Sequence, residues 1–356
     1  THRGYRNLEI SFPVSGCAQL GTESCLDAPC RKQHSQIDRD VPISMDPIDR
    51  IAPIVDNESA FRQACKRRLP SVVRVNTVKS TIRQAKAALD AESIDYETVD
   101  WNPRLLILDK QGPGNLWPYF HGWLHGQEEV STLSAIALNP QPGERILDTC
   151  AAPGSKTTHC AALMNDRGLI VGNDNNLGRL SALRANAERL GLTNLAITNQ
   201  DARNYSIKPF QGTSNASDGF ETFDRVLVDA PCSCDGTIRK NPDVREQWTK
   251  KHMNSITHIQ QSILQRAIQL TTPGGRVVYS TCSFSPEENE AVVDNVLTEL
   301  PCQIMTWKPP NGFETTQGET QWNGEMFDDS LQNTHRVYPH YNDTGGFFVA
   351  VLEVTA

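Results

Sequence analysis

From residue 128 onward, short apolar runs alternate regularly with longer amphipathic stretches. Arg145-Ile-Leu-Asp148, Leu169-Ile-Val-Gly-Asn-Asp174, Leu195-Ala-Ile-Thr198, Phe223-Asp-Arg-Val-Leu-Val-Asp229 and Arg276-Val-Val-Tyr-Ser280 read as core strands of a parallel sheet, being rich in Val, Ile and Leu and closed by Asp, Pro or Gly. Helical spacing fills the gaps: about 157–164, a helix through Leu190 with the stripe Leu180, Leu183, Ala187, Leu190, and about 255–270 with Ile259, Ile263, Ala267 and Leu270. This beat predicts an α/β fold with a doubly wound, mostly parallel sheet. A helix over 128–138 leads into it. Near the end, Ser285 reads as an N-cap with Pro286 at N1 and acids in the first turn, residues 309–335 as an insertion loop, and 345–354 as a closing strand.

Upstream, residues 46–125 read as a small α+β domain, with a helix over 59–69, a strand over 71–76, a helix capped by Ser80 and running through Ala91, and a strand over 105–108. The aromatic stretch Trp117 to Trp123 is suited either to stacking bases or to packing the domain seam. Residues 1–45 show no sustained period and read as an irregular extension. The catalytic region is then 126–356.

Ten cysteines are present, but no paired CxxC knuckles, so free thiols are expected and no metal site. No secretory signal is visible and no run approaches the ~18 apolar residues of a membrane span, so a cytoplasmic chain is expected. The net charge of −8 argues weakly against nonspecific nucleic-acid binding. It can hide a local patch: basic residues gather at Lys66, Arg67 and Arg68, then Arg74, Lys79, Arg83 and Lys86, whereas Lys250, Lys251 and His252 read as a solvated face.

The chemistry collects at the carboxyl ends of the strands, where open α/β sheets bind ligands. The first three strands each end in, or just before, a carboxylate: Asp148, Asp174 and Asp201. That suits a nucleoside cofactor, with the second acid on the ribose hydroxyls and the third facing the adenine amine. The first turn carries Ala-Pro-Gly-Ser-Lys rather than G-x-G-x-x-G, which disfavours a nicotinamide cofactor and is compatible with one lacking phosphates, such as S-adenosylmethionine. The fourth strand delivers Asp229-Ala-Pro-Cys-Ser-Cys-Asp-Gly236 and the fifth delivers Thr281-Cys-Ser283. Neighbouring strands would bring Cys232 and Cys282 together in the partly exposed, polar setting that reactive thiols need. The copy Asp27-Ala-Pro-Cys30 has no strand before it and reads as chance.

On Asp148-Thr-Cys-Ala-Ala-Pro-Gly-Ser-Lys-Thr157, Asp229-Ala-Pro-Cys-Ser233 with Gly236-Thr-Ile-Arg-Lys240, Thr281-Cys-Ser283 with Pro286-Glu-Glu-Asn-Glu290, Arg336-Val-Tyr-Pro-His340 and Asp343-Thr-Gly-Gly-Phe-Phe348, the chain resembles the Nop/Sun family of RNA cytosine-5 methyltransferases from about residue 60 to 356. The resemblance implies a class I, Rossmann-like methyltransferase using S-adenosylmethionine. Cys282 would be the nucleophile that adds to carbon 6 of cytosine and makes carbon 5 nucleophilic. Cys232 would assist release, Asp229 would hold the cytosine edge, and Lys156 would orient Asp229 or a phosphate. The cofactor would be held by Cys150, Ala151, Ala152, Pro153, Gly154, Ser155, Lys156, Asp174, Arg179, Asp201 and Asp229. RNA is the implied partner, tRNA ahead of rRNA, with the target base flipped from its stack and the protein a monomer. Cys234 stands where the family commonly has Gly, and little effect is expected of it. A catalytically silent RNA-binding assembly factor is the rival reading, and the intact Cys282, Cys232 and Asp229 argue against it.

Overall fold

The computed structural model describes residues 46–208 and 221–356. The extension over 1–45, with Cys17, Cys25 and the Asp27 to Cys30 copy, lies outside the described residues. The chain opens with α1 (Pro47–Ile51) and α2 (Glu58–Ala64). Strand β1 (Ser71–Val75), α3 (Ile82–Ala91), β2 (Tyr96–Thr98), β3 (Leu105–Leu108), α4 (Trp117–Phe120) and β4 (Leu124–Gly126) follow. The four strands form an antiparallel sheet in the order β2-β3-β1-β4. Val73, Val75, Leu106, Leu108 and Leu124 face Ala85 and Leu89 of α3 and form its core. The cap of α3 is Thr81, one residue past the expected Ser80. The Thr81 hydroxyl accepts from the Gln84 amide while Gln84 accepts from the Thr81 amide, and Ser80 is buried with its hydroxyl donated to the Asn76 carbonyl. Ile48, Ile51 and Phe61 of the first two helices pack on Ile238, Val244, Phe284 and Tyr338.

The second half supplies α5 (Thr132–Leu138), β5 (Arg145–Asp148), α6 (Ser155–Leu163), β6 (Leu169–Asn173), α7 (Leu177–Leu190), β7 (Leu195–Thr198), β8 (Phe223–Asp229), α8 (Val244–Gln247), α9 (Lys250–Leu270), β9 (Thr271–Thr281) and α10 (Glu290–Glu299). Strands β10 (Cys302–Ile304), β11 (Thr316–Gln317), β12 (Gln321–Trp322), β13 (Glu325–Met326) and β14 (His335–Val337), helix α11 (Pro339–Asn342) and β15 (Phe347–Val354) complete it. The large sheet has nine strands, in the order β11-β14-β15-β9-β8-β5-β6-β7 with β10 beside β15. It is parallel from β9 to β7 and antiparallel from β9 outward through β15. Leu264, Ala267 and Ile268 of α9 and Val292, Val293 and Val296 of α10 cover one face, and Leu133, Ala135, Cys160 and Met164 from the α5 and α6 segments cover the other. With both faces covered, the central strands β5, β6 and β8 carry continuous apolar runs rather than an alternating pattern. The chain winds outward from β5 to β7, then returns to β8 beside β5. That reversal opens a crevice at the carboxyl ends of β5 and β8.

Several expectations need correction. Ser285 does not cap a helix: its hydroxyl is donated to Asp235 Oδ2, residues 286–289 turn, and α10 starts at Glu290 after Asn289. Residues 309–335 are more than a loop, because β11 pairs with β14 and β12 with β13. Two-residue strands are too short to show an alternating pattern. Within the basic run, Arg74 is only 1% exposed and donates to Gln127 and Thr158 at 2.8 and 3.2 Å. Lys79 caps the end of α7 through the Arg189 carbonyl, 2.7 Å away. Both serve the fold. No helix among the described residues is long and apolar enough to cross a membrane.

Candidate active site

Strand β5 ends at Asp148, whose carboxylate takes the Thr157 hydroxyl at 2.7 Å and the Cys150 amide at 3.3 Å, folding the following loop back on itself. Burial pushes the Asp148 carboxyl up to about 7. At the loop's tip Gly154 has φ +109°, and a Cβ there would lie 2.7 Å from Leu183 Cδ1. Only glycine meets both the left-handed backbone and the close approach to α7.

Past β6, Asp174 is 2% exposed. Its Oδ1 accepts the Asn176 amide at 2.8 Å, and its Oδ2 has Arg179 Nη1 at 3.0 Å as an ion-pair partner but accepts no hydrogen bond. A buried carboxylate oxygen left open at a cleft is what a ribose hydroxyl would satisfy. Asp201 binds Arg203 at 2.6 Å, and that bond holds its carboxyl below the usual range.

Two clefts meet at the crevice. Thr149, Cys150, Asp174, Arg179, Asp201, Asp229, Cys232 and Cys282 line the first. Gln127, Glu128, Ala151, Ala152, Pro153, Ser155, Lys156 and Lys240 line the second, which shares Cys150, Asp229 and Cys282 with the first. Of the loop after β5, Cys150 therefore faces both clefts, the stretch from Ala151 to Pro153 with Ser155 and Lys156 faces the second, and Gly154 faces neither.

At the junction, Asp229 is held from two sides. Its Oδ1 accepts the Ser280 hydroxyl at 3.0 Å and its Oδ2 lies 2.8 Å from Lys156 Nζ. The ammonium also sits 5.3 Å from the Phe347 ring centre. Burial alone would lower the Lys156 pKa, but the Asp229 charge outweighs it and keeps the ammonium protonated. Cys232 Sγ lies 3.2 Å from Cys282 Sγ and 3.9 Å from Cys234 Sγ. The three thiols share charge as one group. The Cys232 thiol is pushed up by its bonds to Cys234 and Cys282 and by burial, while the Cys234 thiol is pulled down, first by the bond from Cys232. For Cys282 the bond from Cys232 lowers the pKa, but the bond to Cys234 and burial carry it up.

Sequence reasoning missed what fastens the two thiol loops. Glu288 accepts the Ser233 amide at 2.8 Å, the Ser283 hydroxyl at 2.8 Å and Gln260 Nε2 at 3.0 Å, so one buried carboxyl ties the Cys232 loop, the Cys282 loop and α9 together. Burial pushes it up to about 7. Asp235, also buried, accepts the Phe284 amide at 2.6 Å and the Ser285 hydroxyl at 2.9 Å. Gly236 packs so close that a Cβ would lie 2.6 Å from the Cys282 carbonyl oxygen. The only sequence signal for Glu288 was an acid two residues past a Pro, which equally marks a helix start.

The family described as 16S rRNA methyltransferase RsmB/F matches residues 135–353. The tRNA (cytosine(49)-C(5))-methyltransferase of Pyrococcus abyssi is 33% identical over 308 residues, covering 86% of this chain and 94% of that protein. The 25S rRNA (cytosine-C(5))-methyltransferase nop2 of Schizosaccharomyces pombe is 36% identical over 301 residues, 82% of this chain and 47% of that protein, so the chain spans about half the length of this relative. Among solved structures, a methyltransferase homolog protein from Pyrococcus horikoshii aligns with a TM-score of 0.73 at 27% identity, over 88% of this chain and 99% of that one.

Proposed function

This chain belongs to the Nop/Sun family of S-adenosylmethionine-dependent RNA cytosine-C5 methyltransferases, and on that premise we propose that it methylates carbon 5 of a cytosine in tRNA through a covalent adduct on Cys282. The observation that carries the reading is the pair of thiols 3.2 Å apart at the junction of two clefts. One cleft, with the open Asp174 oxygen, suits the cofactor, and the other, lined by Lys156 and Lys240, suits a flipped nucleotide with its phosphate.

S-adenosylmethionine supplies an electrophilic methyl group when bound. The protein's task is to make carbon 5 of cytosine nucleophilic. Cys282, whose raised pKa keeps it a thiol at rest, gives up its proton to solvent in the cleft as its sulfur adds to carbon 6, and electron density moves to carbon 5. Asp229 binds the cytosine edge as an acceptor and orients the ring, with Ser280 and Lys156 fixing its two oxygens, and the Lys156 ammonium offsets the negative charge that develops on the ring. Once carbon 5 carries its new substituent, its proton must leave before the carbon–sulfur bond can break. Cys232, beside Cys282, assists that release. The tRNA reading is supported by the archaeal tRNA enzyme, nearly the whole of which has its counterpart here. Ribosomal RNA is the second reading, favoured by the slightly higher identity to the fission-yeast enzyme.

The test compares two thiol variants on purified tRNA and rRNA. Cys282→Ala is expected to abolish both methylation, read by bisulfite sequencing, and any protein–RNA conjugate. Cys232→Ala is expected to attack and methylate, then stall as a conjugate that survives a denaturing gel, and the double variant to form none. A conjugate in Cys282→Ala and none in Cys232→Ala would place the nucleophile in the Pro-Cys loop and overturn the assignment.

A further inference from the structure

The two thiols of the site have a third beside them. The sulfurs of Cys232, Cys234 and Cys282 all lie within 4.8 Å of one another. We propose that these three cysteines form a binding site for a soft cation of the zinc type, and that its occupation silences the site by withdrawing Cys232 and Cys282 from the base.

Four observations carry this. The first is distance. Zinc–sulfur bonds of about 2.3 Å at tetrahedral angles separate ligand sulfurs by about 3.8 Å. Two of the separations here are 3.2 and 3.9 Å and the third is within 4.8 Å, so side-chain adjustments of no more than about 1 Å bring these sulfurs to ligating positions. The second is donor chemistry. Three thiolates are a soft set that favours zinc or copper(I) over magnesium or calcium, and three protein ligands leave one position open toward the cleft. The third is the backbone. Cys234 has φ +61° and ψ +19°, the left-handed conformation that favours glycine. The thiol is carried at a position where glycine would sit without strain, and it points at the other two. The fourth is charge. Arg179 lines the same cleft as Cys232, Cys234 and Cys282, and its guanidinium favours their thiolate forms. Sequence spacing alone disfavoured zinc because it offers only Cys232-Ser-Cys234 and the loose set Cys17, Cys25 and Cys30; the pairing of β8 with β9 brings in the third ligand, Cys282, fifty residues beyond Cys232.

Each ligating thiol releases its proton to solvent, so binding tightens as pH rises. No electron is transferred, and the S–H bonds are the only covalent bonds of the protein that change. A chelator reverses the state.

The experiment uses the full, reduced chain. Zinc affinity is measured against a chromophoric competitor, and cadmium is titrated while the thiolate-to-metal charge-transfer band is followed. Wild type is expected to take one equivalent. Cys234→Gly, which suits the local backbone, should bind on the order of 100-fold more weakly for lack of one of three ligands. Cys65→Ser removes a buried thiol of the α2 cluster and should change nothing. In a second arm, which rests on the methyl-transfer reading, one equivalent of zinc stops turnover in wild type, a chelator restores it, and Cys234→Gly resists relative to its own uninhibited rate. The binding arm stands whether or not that reading holds. Equal zinc affinity in wild type and Cys234→Gly would overturn the proposal. So would an unchanged charge-transfer band in Cys232→Ser/Cys234→Ser/Cys282→Ser, which would place the metal on other thiols.

Discussion

Glu288 shows how much the site depends on a residue that touches no substrate. Its carboxyl is buried, takes protons more readily than an ordinary glutamate, and titrates near 7 rather than 4.5 because burial penalises its charge and Asp235 lies nearby. A folded pKa raised above the unfolded one means stability that is full below about 4.5 and is lost as pH rises toward about 7. A shift of that size corresponds to about 3 kcal/mol. Urea unfolding of wild type and Glu288→Gln across pH 4.5 to 8 is expected to show wild type losing stability relative to the variant over that window, and parallel curves above it. Parallel curves throughout would mean that Glu288 titrates like an exposed carboxylate. Asp174 acts in the opposite way, with an oxygen that faces Arg179 as an ion-pair partner but accepts no hydrogen bond. Asp174→Ala should weaken S-adenosylmethionine binding by about 1–3 kcal/mol, the loss of hydrogen bonds to a buried polar group. Calorimetry reads this directly, and unchanged affinity would remove Asp174 from the cofactor's site.

At the scale of elements, what was legible followed burial. Strands β5 and β8 match their sequence expectations to the residue because their apolar runs are buried in the sheet, while β7, an edge strand with Ile197 37% exposed, matches on its apolar run alone. The stripe of α7 reads equally well, with Leu180, Leu183, Ala187 and Leu190 all buried. Helix α9 begins at Lys250, earlier than its apolar spacing suggested, because its first turn is solvated and capped by Thr249. The starts of α5 and α10 were misread for the opposite reason. Polar residues at the expected helix starts are drawn into tertiary bonds: Glu128 accepts the Gly345 amide, and the Ser285 hydroxyl is donated to Asp235. The strand-end acids and the two thiols were visible in sequence, since β/α alternation alone brings them to one edge. The third thiol's place beside them was not, because it depends on the left-handed turn at Cys234. The aromatic stretch divides between its two readings: Tyr119 lies under Arg189 of α7 at 4.2 Å, while Phe120 is 71% exposed and free to meet a base.

For the molecule as a whole, the proposed reaction asks an acidic protein to receive a polyanion. Part of the basic run is committed to the fold, as Arg74 and Lys79 show, and Arg239 is buried against the Arg67 and Arg68 carbonyls and Asp343. What remains exposed is Lys66, Arg67, Arg68 and Arg83, with Lys240 across the chain. Arg68 and Lys240 line a groove that shares Gly126, Gln127, Glu128 and Lys240 with the second cleft, so a strand of RNA lying in it would run to Lys156 and the thiols. Phosphate contacts release counterions, and each contributes about 0.7 to 0.9 to the slope of log affinity against log salt. Reversing Arg67 and Arg68 to Glu should therefore weaken RNA binding and flatten that slope by about 1.4 to 1.8. Arg67 is itself paired with Asp343 at 3.2 Å across an exposed surface, a contact worth little to stability, so the doubly reversed chain should unfold close to wild type. Lys250→Glu/Lys251→Glu, on the solvated first turn of α9, should leave the slope as it was. If reversing Arg67 and Arg68 leaves the slope unchanged while Lys250→Glu/Lys251→Glu lowers it, RNA enters from the α9 side and the groove is only a solvated face.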